Sequence, residues 1–124
     1  MKIVLVSFSP ARAITLGNVL KAQGYIVLAM HGSGNKMFRE MQTLAPELGA
    51  VILDLDSRPS HTREVGDALA KTGFLAHIPR LWLGGKEEDR QKVREKLSPR
   101  ERFVTVDELD GELRRLKTNQ VGIR

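Results

Sequence analysis

Two carboxylates, Asp54 and Asp56, follow directly on the apolar run Ala50-Val51-Ile52-Leu53, which Gly49 opens. A short apolar run with β-branched residues, bounded by glycine and a polar cluster, reads as a buried parallel strand. In open α/β sheets the carboxyl ends of the strands hold the site. Both carboxylates therefore emerge where such a fold does its chemistry. The plain alternative for Asp54 is a strand-end carboxylate hydrogen-bonded to loop amides or to Arg58, since structural ion pairs engage carboxylates as readily as catalysis does. Asp56 can simply cap a turn.

The neighbouring segment Arg58-Pro59-Ser60-His61-Thr62-Arg63 adds two guanidiniums and an imidazole. An oxyanion could bind there, at the amino end of a helix. A helix capped by Ser57 or Ser60 with solvated bases explains the same residues. Other candidates are weaker. His31 and His77 stand alone, without metal-ligand spacing. Gly32-Ser33-Gly34 could cradle a phosphate, but two glycines do not make a dinucleotide fingerprint, and a flexible turn is the expectation. Trp82 lies inside an apolar strand and reads as core. The bases at 90, 92, 94, 96, 100 and 102 form the densest basic stretch, with Phe103 as its aromatic neighbour. That reads as a solvated face, and no nucleic-acid module is recognisable.

These residues need elements to position them. Ile3 to Val6 is a first strand. Ser9 and Pro10 supply an N-cap and a first-turn proline for a helix with Ala13, Leu16 and Leu20 on its apolar stripe. Gly24 stops it, and Gly17 within it suggests close packing. Tyr25 to Met30 is a second strand. Met37, Met41 and Leu44 face the core from a second helix that Pro46 ends. After the Ala50–Leu53 strand, Val65, Ala68 and Leu69 mark a third helix, ended by Gly73. Arg80 to Leu83 is a fourth strand, closed by Gly84 and Gly85. Lys86 to Leu97 is a charged helix with its acids early and its bases late, as the helix dipole favours. Arg102 to Val106 is a fifth strand. Asp107 caps a last helix whose face is Leu109, Leu113 and Leu116. Residues 118–124 read as a loose tail.

Strands alternating with helices argue an α/β domain with a parallel sheet covered on both faces. Right-handed crossovers make 2-1-3-4-5 the expected strand order. The 124 residues and the absence of cysteine fit one domain that folds without disulfides or cysteine-bound metal. The net charge of +5 is spread along the chain and reads as solubility. No apolar run is long enough to span a membrane, and the amino end carries no signal-peptide pattern. A cytoplasmic location is expected.

On these residues the chain resembles the receiver domain of bacterial response regulators. The carriers are residues 2–10, Gly24-Tyr25 opening strand two, Val51 to Asp56, His77-Ile78-Pro79, and Phe103 to Leu109. The resemblance implies a three-layer flavodoxin-like sandwich over residues 1–117, with 118–124 as a flexible tail. It also implies that Asp54 is the phosphoacceptor-equivalent position. The family's other site residues are replaced. Where it has an acidic pair for Mg²⁺ stand Ser7 and Phe8. Where it has a Ser or Thr after strand four stands Gly84. Its lysine after strand five matches Val106-Asp107. Pro59 follows Asp54 by five positions rather than the family's four.

The expectation is a non-catalytic, receiver-like signalling or regulatory domain that is not phosphorylated and acts by protein contact. No cofactor, metal ligand or catalytic residue is assigned. A homodimer or protein partner is expected through the helix 4, strand 5, helix 5 face, near Leu97, Phe103 and Leu109; nucleic acid and membrane are not. One alternative is a flavodoxin-like domain that binds a small anion near Ser7, Ser9, Asp54, Asp56, Arg58 and Gly84. The other is a haloacid-dehalogenase-like phosphatase using Asp54 and Asp56, whose remaining ligands the chain lacks.

Overall fold

The structure, a computed structural model, describes residues 1–31 and 35–122. Five parallel strands form one sheet in the order β2-β1-β3-β4-β5, as expected. They are β1 (Lys2–Val6), β2 (Ile26–Met30), β3 (Leu48–Asp54), β4 (Arg80–Leu83) and β5 (Glu101–Val104). The helices are α1 (Pro10–Ala22), α2 (Asn35–Leu44), α3 (Pro59–Ala70), α4 (Glu87–Arg94) and α5 (Val106–Gly122). Short 3₁₀ turns, Ala45–Glu47 and Gly73–His77, lead into β3 and β4.

β3 is the axis of the domain. All seven of its residues are buried, and the two faces of the sheet take alternate residues, as the period of a strand requires. Val51 and Leu53 join Val4, Val6 and Trp82 in one core, closed by Met37, Met41, Val65, Leu69 and Val93 from α2, α3 and α4. Ala50 and Ile52 join Ile3, Leu5, Leu81 and Leu83 in the other, closed by Leu16 and Leu20 of α1 and by Leu109, Leu113 and Leu116 of α5. Each fully buried aliphatic side chain contributes about 1.5–3 kcal/mol relative to exposure.

Several boundaries differ from the sequence reading, each for a local reason. β3 starts at Leu48 and carries Asp54 as its last residue, because Asp54 still pairs with Leu83 of β4. The expected caps of α3 are not used: Arg58 holds the cap position with φ 39° and no side-chain cap. Ser57 instead bonds the Asp54 carbonyl. Thr105, not Asp107, caps α5, through a reciprocal pair with Glu108: Thr105 N–H donates to Glu108 Oε1 (2.9 Å), and Glu108 N–H to Thr105 Oγ1 (3.2 Å). This is a capping box. α4 stops at Arg94, short of Leu97, whereas α5 runs on through Gly122, over residues read as a loose tail. Gly17 is buried, but a β carbon there would touch nothing within 4 Å. The close approach lies instead at Gly66, where a β carbon would sit 2.3 Å from the Trp82 ring. The loop Gly32-Ser33-Gly34 lies outside the described residues.

Candidate functional site

The carboxyl ends of β1 and β3 bring Ser7 and Asp54 together, and the start of α1 adds a residue that the sequence reading did not single out. Ser9 caps α1 by accepting the Arg12 N–H (3.3 Å), and Pro10 opens the first turn. Arg12 is thereby held in that turn. A cation at a helix amino end opposes the helix dipole, so its side chain needs a strong partner. Arg12 Nε donates to Asp54 Oδ2 and Arg12 Nη2 to Asp54 Oδ1, both at 2.8 Å. Ser7 Oγ donates to Asp54 Oδ2 at 2.9 Å. Asp54 is 0% exposed, while the Arg12 side chain keeps 38% of its surface in solvent.

The fork of a guanidinium on a carboxylate is the strongest geometry available to such a pair. Its effect shows on Arg12, whose pKa is raised: the hydrogen bond to Asp54 is the largest cause, burial opposes it, and the charges of Asp54 and Asp56 add to it. Arg12 also lies 3.5 Å from Asp56 Oδ2. The side chain of Asp54 is thus bonded to Arg12 and not to Arg58. Arg58, the expected partner, is exposed at its left-handed position. The missed signal was a basic residue in a first turn that holds no acid.

Asp56 is half-exposed and shapes the next loop. Its Oδ1 accepts the Gly85 N–H at 3.0 Å. Gly84 and Gly85 both have positive φ, 68° and 91°. A β carbon on Gly84 would meet Asp56 Oδ2 at 2.1 Å. The Asp56 carboxylate therefore fills the space that a Ser or Thr side chain would need at Gly84.

A second set of bonds fixes the loops around Asp54. Phe8 N–H donates to Ser57 Oγ (3.0 Å), and Ser57 Oγ donates to the Asp54 carbonyl (2.8 Å). Thr62 Oγ1 donates to the Ser57 carbonyl at 2.6 Å. Phe8 is half-buried against the core, and its ring centroid is 5.8 Å from that of His61. On the far side, β5 is joined to α5 by Thr105 alone. Val106 and Asp107 lie exposed in the first turn of that helix.

Of the residues expected at the site, Ser7, Asp54, Asp56 and Gly84 do meet. Ser9 is spent on the helix cap, and Arg58 is not in the cluster. Phosphoryl transfer to a carboxylate requires an oxygen in line with the phosphorus and cations around the transferring group. Asp54 offers no exposed oxygen, and the cation at its side is the protein's own. Among the described residues, no group of three or more His, Asp or Glu side chains is placed to hold a metal ion. No described helix is long and apolar enough to cross a membrane.

The sheet order and the place of Asp54 define a receiver-type, flavodoxin-like fold, and comparison with solved structures shows the same. The chain is similar to the Vibrio cholerae chemotaxis protein CheY4, with TM-score 0.70 and 17% identity over 93% of this chain and 97% of that one. It is similar to a response-regulator signal receiver domain from Bermanella marisrubri, with TM-score 0.72 and 19% identity over 93% and 96%. A third likeness is to the signal receiver domain of a modulated diguanylate cyclase from Desulfovibrio desulfuricans, with TM-score 0.67 and 20% identity over 95% and 97%. No protein-family model matches the chain, and no curated protein does.

Proposed function

We propose that the chain is a receiver-like signalling or regulatory module that acts through protein contacts, without phosphorylation at Asp54 and without catalysis of its own. One observation carries this reading: Asp54 is fully buried, with both oxygens held by Arg12. A guanidinium is permanently charged, so the carboxylate keeps its counter-ion at every physiological pH. The domain is held in one state at this end, and its output is set by what its surface binds.

The experiment is intact mass after incubation with acetyl phosphate and Mg²⁺. No added phosphoryl group is expected. A Mg²⁺-dependent gain of one group, absent in Asp54→Asn, contradicts the reading.

The proposed contact is a homodimer or protein partner on the α4–β5–α5 face. Leu97 and Val106 are exposed there at 37% and 50%. Phe103 is half-buried, with the Arg90 and Arg94 guanidinium carbons 5.4 and 5.5 Å from its ring centroid. Leu109 is buried and belongs to the core, so it is not part of the contact. Two-fold dimers present the same patch on both copies. Light scattering should show a concentration-dependent dimer that Leu97→Glu weakens; a strict monomer at high concentration removes the homodimer.

A further inference from the structure

The receiver resemblance implies a divalent cation beside Asp54, and the residues present do not fit one. A hard divalent ion takes about six oxygens, and Mg²⁺ keeps several of them as water. Asp54 is fully buried, so it has no room for such a shell. Its Oδ2 already accepts from Arg12 Nε at 2.8 Å and from Ser7 Oγ at 2.9 Å, and its Oδ1 accepts from Arg12 Nη2 at 2.8 Å. Asp56 Oδ1 takes the Gly85 N–H. No acid follows β1: Ser7 and Phe8 stand there.

A guanidinium holds the position between the two carboxylates. Arg12 Nη2 lies 2.8 Å from Asp54 Oδ1 and 3.5 Å from Asp56 Oδ2, so one nitrogen serves both acids. Its charge is permanent, and an ion close enough to bind Asp54 would meet that charge at contact distance. Arg12 stands in the first turn of α1, which holds no acid. A cation is unfavourable there unless carboxylates face it, so the two acids and the arginine require one another. Truncating Arg12 would uncover both acids to water, because 38% of its side chain already lies in solvent, and one or two carboxylates with water suffice for a divalent ion. We infer that Arg12 is the built-in substitute for a divalent cation at this site, and that its charge is what keeps such an ion out. This rests on the reading of Arg12 as the partner that holds Asp54, and it makes this end of the domain indifferent to Mg²⁺.

The probe is Mn²⁺ alone, which takes the same oxygen ligands as Mg²⁺ and broadens the NMR signals of residues near it. In the parent chain the amides of Ser7, Asp54 and Asp56 should keep their line widths in Mn²⁺, and the thermal midpoint should not rise. In Arg12→Ala the same amides should broaden saturably, and the midpoint should rise by roughly 5 °C at about ten times the dissociation constant. Adding Asp54→Asn should abolish both changes. Arg12→Lys, which keeps a charge, should behave as the parent does. Arg12→Gln, which keeps a donor without the charge, supplies a second neutral side chain if Arg12→Ala fails to fold. Saturable broadening of the three amides in the parent overturns the inference. So does a metal response in neither neutral variant, one that survives Asp54→Asn, or one as large in Arg12→Lys. These outcomes are separate from the acetyl phosphate experiment: a neutral variant blind to Mn²⁺ refutes the substitution, whereas a phosphoryl group gained at Asp54 refutes the proposed function.

Discussion

Two arginine–carboxylate pairs stand at opposite ends of the strands, built the opposite way round. At the carboxyl ends, the acid of the Arg12–Asp54 pair is sealed at 0% exposure and the base is partly in solvent. At the amino ends, Arg80 is itself buried at 1%, beside Glu101 at 7%. Arg80 Nη1 donates to the carbonyls of Leu75, Ala76 and Ile78, and Nη2 to Ser98 Oγ. That guanidinium gathers the turn before β4 and the loop before β5 onto the sheet, so its work is structural. Among the described residues the Arg12 side chain makes no such backbone bonds. It donates to Asp54 and lies 3.5 Å from Asp56, at the end of the sheet where this architecture places its chemistry. The difference separates an arginine that holds loops from one that occupies a site.

The contrast predicts a ranking in chemical denaturation. Arg80→Ala leaves Glu101 buried without its cation and takes the guanidinium donor from the Ala76 and Ile78 carbonyls, while that of Leu75 keeps the Ile78 N–H, so a loss of about 3–5 kcal/mol is expected. Arg12→Ala should cost less, about 1–3 kcal/mol, because water can follow the departing side chain to Asp54. Asp56→Asn, at a half-exposed pair, should cost under about 1 kcal/mol. Equal losses for Arg80→Ala and Arg12→Ala would erase the distinction between the two ends.

Most of the fold was legible because the apolar periods of strand and helix leave little choice once five strands alternate with helices. The Leu109, Leu113, Leu116 face and the buried Ala50–Leu53 run are direct cases. The site was only half legible. Asp54 declared itself by its place at a strand end, whereas its partner lay 42 residues away in sequence. Only the crossing of α1 over the sheet brings Arg12 to it. The nearer Arg58 was the natural local choice, but Pro59 opens α3 directly behind it, and Arg58 stays exposed. Arg80 was hidden for a related reason: a charged residue opening a strand reads as solvent-facing until the turn carbonyls around it are seen. Gly84 was legible as a departure from the receiver pattern, but the Asp56 carboxylate that excludes a side chain there was not.

The central claim is that Arg12 is the built-in counter-ion of Asp54. A double-mutant cycle of Arg12→Ala and Asp54→Asn, followed by denaturant unfolding, tests it most directly. Two groups joined by a buried, bidentate contact should be coupled by about 2 kcal/mol, so the double variant should be much less destabilised than the sum of the single ones. Losses that add to within about 0.5 kcal/mol would contradict the account, because they would mean that Arg12 and Asp54 stabilise the domain independently.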